Sequence, residues 1–189
     1  MNVCNETERF IPTRSSLLTR LKDMDDREGW IDFFNTYGKM IYDVARKAGL
    51  NDTEAQEVVQ ETAISVARNI PEFRYDPAVC SFKTWLLQAI RWRILDERRR
   101  RQREERRRAE PDEGQTGESS LEQVPDPLAG RVDEILEEEW KKNLLELGLA
   151  RLKERVRPIQ YQIFDLLVFQ NWPAAEIGRK LRVNTLGAS

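Results

Sequence analysis

Apolar residues recur at three- and four-residue steps over most of this chain, and the stretches between them are almost purely polar. Trp30, Phe33, Phe34, Tyr37, Ile41, Val44 and Ala45 form one such stripe from Gly29 onward, the signature of an amphipathic helix facing a core. A shorter helix with a polar tip is expected before it, over 14–28, and Gly49 is placed to stop the main one. A new helix starts near Asn51-Asp52-Thr53-Glu54, where either Asn51 or Asp52 can cap and the first-turn acids suit the helix dipole. Ala55, Val58, Val59, Thr62 and Val66 mark its buried face, and Glu54, Glu57 and Glu61 line another. Pro71 ends it, because a proline disfavours helical geometry in the residue before it.

Residues 72–80 read as a loop with two aromatics and an Asp-Pro turn signal. Ser81 can cap the next helix, which runs through Phe82, Trp85, Leu86, Ala89, Ile90 and Ile94 into an arginine cluster at 98–108. Its outer face carries Lys83, Arg91 and Trp92. Residues 109–130 contain Pro, Gly, Glu, Ser and Asp with few large apolar groups. They bury too little surface to offset the entropy of ordering, which predicts a flexible linker. A second periodic stretch follows, with Val132, Ile135, Leu136, Trp140, Leu144, Leu147 and Leu152 at its apolar positions. Pro158 can open a further helix, Asn171-Trp172 breaks it, and Pro173 begins a short last one to Leu181. The expected fold is all-α: two small helical modules, 14–102 and 131–189, joined by an acidic linker over 103–130.

Charge sharpens this division. The net charge of −2 conceals −3 over residues 1–90, +6 over 91–108, −10 over 110–139 and +5 over 140–189. Charge in blocks signals interaction surfaces. Ten arginines within 91–108 can neutralise phosphates, although arginines at 98–101 point around the helix and cannot all meet one duplex. Phe73, Tyr75 and Trp92 are candidate exposed rings for stacking unpaired bases beside them, whereas Phe82 and Trp85 fit the inner face. The alternative is a solvated helix end, or a basic partner for the chain's own acids. The −10 block would then fold back on the arginines or the basic tail and screen DNA binding. The glutamates of the second helix fit either a solvated surface or a docking face for a basic protein groove.

Catalysis finds no support. There is no histidine, no glycine-rich phosphate loop and no metal-ligand spacing. Cys4 and Cys80 lack a partner pattern, and no apolar run reaches membrane-spanning length. No cofactor, no metal and a cytoplasmic location are expected.

Taken in order, three segments resemble the extracytoplasmic-function (ECF) type of bacterial RNA polymerase sigma factor. Asp52-Thr53-Glu54-Ala55-Gln56-Glu57-Val58-Val59-Gln60-Glu61-Thr62 is similar to the family's acidic DAEDLVQET helix. Phe82-Lys83-Thr84-Trp85-Leu86, continuing to Leu95-Asp96-Glu97-Arg98-Arg99, is similar to its F-x-T-W-L … D-x-x-R helix. The segment from Leu152 to Val183 is similar to its second domain. The resemblance implies that Asp52, Glu54, Glu57, Gln60 and Glu61 contact core RNA polymerase. It implies that Gln88 and Arg91 face the promoter's minus-ten duplex edge, and that the loop from Phe73 to Ser81 receives a flipped-out base. Lys83, Trp92, Arg98 and Arg99, with Phe73 and Tyr75, complete the expected DNA-binding set. Capturing an unstacked base offsets part of the cost of opening the duplex, on the order of a few kcal/mol. An anti-sigma factor is a further expected partner. Residues 173–185 read like the start of a helix-turn-helix, and the chain is expected to lack most of the recognition helix after it. A sigma-like interaction protein that binds polymerase or an anti-sigma factor without initiating transcription is the alternative.

Overall fold

The computed structural model describes residues 15–73, 81–109 and 129–181. Among them every regular element is helical: α1 Ser15–Leu21, α2 Arg27–Phe33, α3 Lys39–Lys47, α4 Asp52–Asn69, α5 Phe82–Ala109, α6 Ala129–Arg155, α7 Pro158–Val168 and α8 Ala174–Leu181. A single π turn, Phe34–Gly38, joins α2 to α3. The chain divides into two compact units, 1–143 and 144–189, with the division inside α6.

The first unit is built around the expected stripes. Phe33, Ile41 and Val44, Ala55 and Val66 of α4, and Phe82, Leu86, Ile90 and Ile94 of α5 are all essentially inaccessible to solvent. Phe34 departs from its stripe and lies exposed at the start of the π turn, next to the buried Phe33. Tyr37, within that turn, is buried in a run of rings, with Phe33 at 5.4 Å and Phe82 at 5.8 Å between centroids.

The helix ends follow local chemistry. Asp26 caps α2 by accepting the Gly29 amide, and its carboxylate also takes a two-point contact from Arg20 of α1. The guanidinium and amide donors hold Asp26 at about 2, below the ordinary 3.8. Helix α3 closes in a Schellman turn: Leu50 N–H donates to Ala45 O, Gly49 N–H donates to Arg46 O, and Gly49 takes the positive φ of 90° that the turn requires. Asn51, not Asp52, caps α4, and its reciprocal bond with Glu54 makes a capping box. Ser81 Oγ accepts the Thr84 amide at the start of α5, as expected.

Two boundaries fall elsewhere than the sequence pattern places them. Helix α5 continues to Ala109, so residues 103–109 of the expected linker are helical, as a run of arginine and glutamate with i,i+4 pairs favours. Residues 131–143 of α6 belong to the first compact unit, because Val132, Ile135, Leu136 and Trp140 are buried there. The remaining linker, residues 110–128, lies outside the described residues.

In the second unit Pro158 opens α7, and Asn171 breaks the chain with a φ of 53°, the left-handed conformation asparagine tolerates. Pro173 sits one residue before α8, where its carbonyl accepts from Ile177. Phe164 packs on Phe169 at 5.8 Å, and Lys180 lies 4.5 Å from the Trp172 ring. Val183 to Ser189 lie outside the described residues.

Candidate macromolecular interface

Helices α4 and α5 run against each other, and charge runs along their seam. Arg101 of α5 lies 3.4 Å from Glu54, Arg100 lies 2.7 Å from Glu57, and Arg93 lies 3.8 Å from Glu61. As α4 advances from 54 to 61, α5 descends from 101 to 93, so the pairs form an antiparallel ladder. Glu97, buried beside the ladder, is 2.8 Å from Arg100. Burial raises its pKa above the ordinary 4.5, with the Glu57 and Glu54 charges adding to the rise and Arg100 opposing it. The arginine cluster therefore finds partners on the chain's own acidic helix, a pairing that the two charge patterns allow but do not specify.

The expected polymerase-binding set separates under this geometry. Glu54 is buried and committed to the capping box, which removes it from the outward face. Asp52 is exposed, accepts from Gln56 Nε2 at 2.9 Å and accepts the Tyr42 hydroxyl. That bond raises the Tyr42 pKa, because the phenol proton is held by a carboxylate. Glu57 is half-buried in its pair with Arg100. Gln60 and Glu61 are exposed, and both line a groove of about 280 Å³ between α4 and α5, floored by Val58 and edged by Arg93, Asp96 and Arg100.

The expected DNA-binding set divides three ways. Trp92 is 55% exposed and shares with Arg99 a second groove of about 350 Å³, bordered by Ser65, Ala89 and Asp96. Gln88 is exposed one turn before Trp92. Lys83 and Arg91 lie on a different flank, where Glu137 and Asp133 of α6 reach them at 3.0 and 2.8 Å. The Asp133 contact lies off the Nε–H axis, so it is a charge pair rather than a directed hydrogen bond.

Arg98 is buried at 8% exposure and donates to Ala48 O at 3.1 Å. Arg101 similarly donates to Gly49 O at 3.0 Å. These two guanidinium groups cap the carbonyl end of α3, where the helix dipole favours cations. Arg98 is therefore a structural residue with no surface to offer DNA.

Phe73 is half-buried rather than free, packed at 5.1 Å against Trp85 and 6.1 Å against Phe82. Tyr75, Cys4 and Cys80 lie outside the described residues, as does most of the loop from Phe73 to Ser81. Sequence reasoning missed Arg93, Arg100 and Arg101 as partners of α4, and Asp133 and Glu137 as partners of α5. The opposite charges of the 91–108 and 110–139 blocks were the available signal. Among the described residues no cluster of acids, cysteines or histidines could hold a metal, and no helix is long and apolar enough to cross a membrane.

No curated protein and no solved structure matches the chain. Residues 33–104, which span α3, α4 and most of α5, match the family described as Sigma-70 region 2. The match is confined to that segment, less than half of the chain.

Proposed function

We propose that the chain is a sigma factor of the ECF type, which docks on core RNA polymerase and directs it to promoters. The carrying observation is the Sigma-70 region 2 match laid over the paired helices α4 and α5. Gln60 and Glu61, exposed at the edge of the α4–α5 groove, form the middle of the polymerase-facing side of α4, with Glu57 and Asp52 towards its start. A basic surface on polymerase would compete there with Arg93, whose 3.8 Å pair with Glu61 is the loosest rung of the ladder.

The DNA face is centred on Trp92, Arg99 and Gln88 of α5 and extends to Arg91 and Lys83 on the neighbouring flank of the same helix. An exposed indole beside a guanidinium can stack an unpaired base while the cation meets a phosphate. Binding the unstacked base shifts the duplex–bubble equilibrium toward the open form.

Co-elution of the full chain with bacterial core RNA polymerase tests the polymerase role. The native chain should co-elute, and the double variant Gln60→Lys/Glu61→Lys should not. Failure of the native chain to co-elute would overturn the reading. Glu54→Lys is unsuitable for this purpose, because it breaks the α4 cap and confounds docking with folding.

A further inference from the structure

Two of the cations expected to meet DNA already have anionic partners in the free chain. Glu137 Oε2 lies 3.0 Å from Lys83 Nζ, and Asp133 Oδ1 lies 2.8 Å from Arg91 Nε. The two acids are four residues apart on α6 and the two cations eight apart on α5, so the helices cross the same surface in opposite directions. Both cationic side chains are largely covered, at 21% and 26% exposure.

This placement is anchored by more than charge. Val132, Ile135 and Leu136 are buried, and Trp140 stacks on Tyr37 at 5.8 Å with the rings 11° from parallel. Lys47 of α3 adds a third pair, 2.6 Å from the buried Glu139, whose bond raises the lysine pKa. An apolar seam thus fixes a row of carboxylates against basic side chains of α5 and α3.

We propose that the first turns of α6 are an autoinhibitory clamp, in which Asp133 and Glu137 withhold Lys83 and Arg91 from DNA phosphates. The clamp rests on the DNA-binding half of the function proposed above. Exposed and half-exposed ion pairs are individually weak, so the clamp biases binding rather than abolishing it. Each cation released to a phosphate adds one counterion-release term, steepening the dependence of log affinity on log salt by roughly 0.9 per contact on duplex DNA.

The test uses the full chain and a labelled duplex of generic sequence, since phosphate contact is independent of sequence. Asp133→Asn/Glu137→Gln should bind about tenfold more tightly at low salt than the native chain, with a salt slope steeper by roughly two. Glu134→Gln/Glu138→Gln removes the same net charge at exposed positions on the same helix and should change affinity less than about twofold. Adding Lys83→Gln/Arg91→Gln to the first variant should abolish the gain. Equal binding by the native chain and the first variant overturns the clamp while leaving DNA binding intact. An equal gain from the control pair, or a gain that survives loss of Lys83 and Arg91, also overturns it. Absence of binding by every chain at low salt sinks the DNA-binding reading itself, and the clamp with it.

Discussion

Arg98 and Arg99 are neighbours in an arginine run, and nothing in their identity separates them. The structure does. Arg98 is buried and bonds the Ala48 carbonyl, whereas Arg99 borders the open groove beside Trp92. Arg98→Ala should cost about 2 kcal/mol in urea denaturation, the typical worth of a bond to a charged group. Arg99→Ala should leave stability within about 0.5 kcal/mol and lower DNA affinity uniformly across sequences, with the salt slope reduced by about one. The reverse pattern would mean that the structural and the binding arginine have been interchanged. Glu97 carries a pH-dependent counterpart. Its folded-state pKa is raised by burial, so the folded chain binds its proton more tightly than the unfolded chain does. Stability from this group is present below the ordinary carboxyl value of 4.5 and is lost as pH rises through the raised value. Stability measured across that window should therefore fall for the native chain relative to Glu97→Gln, and a difference independent of pH would contradict the assignment.

At the scale of elements, stripes and caps were legible because they are local. The 3.6-residue period located α3, α4 and α5 by the residues they bury, and Gly49 marked an end by chemistry that operates within one turn; α4 also stops next to Pro71, although Ile70 before the proline keeps helical geometry. The choice between Asn51 and Asp52 as cap was not legible, because both side chains can accept an N3 amide. The capping box decides it: Asn51→Ala should destabilise the first unit by about 1 kcal/mol, and Asp52→Ala by clearly less. Thermal unfolding of the two variants distinguishes them, and equal losses would deny Asn51 its role. The π turn was also invisible, since it changes the phase of one stripe without changing its composition. Phe34, next to the buried Phe33, looked like a core residue although it lies exposed. The acidic face of α4 was read as one surface because Glu54, Glu57 and Glu61 share a helical side. Depth divides it, with Glu54 buried and Glu61 exposed, and depth depends on what packs against the helix rather than on its own period.

The whole molecule is where sequence reading loses most, because pairing between distant segments has no local signal. The α4–α5 ladder joins residues more than thirty positions apart, and the α6 contacts to Lys83 and Arg91 cross the linker. Block charges show that such pairing is favourable but not which arginine meets which acid. The same limit applies to the placement of α6: its apolar positions form one unbroken stripe, yet the first half is buried in one unit and the second half lies in the other. This unequal burial makes a prediction about how the chain loses structure. The first unit encloses many fully buried side chains, whereas among the described residues of the second unit Ile177 is the buried apolar residue, and α7 has none. Burying apolar surface is the main favourable term in folding, at roughly 25 cal/mol per Å², and stability is distributed unevenly where burial is uneven. Leu167, Val168 and Phe169 at the end of α7 are all at least 40% exposed, so they contribute little of that term. Amides of α7 and α8 should therefore exchange hydrogen with at least tenfold less protection than those of α4 and the first half of α5, a gap of about 1.4 kcal/mol. Their helicity should also disappear at lower urea, giving a transition that is not two-state. Uniform protection across both units and a single transition would show instead that the second unit draws stability from interactions other than its own buried core.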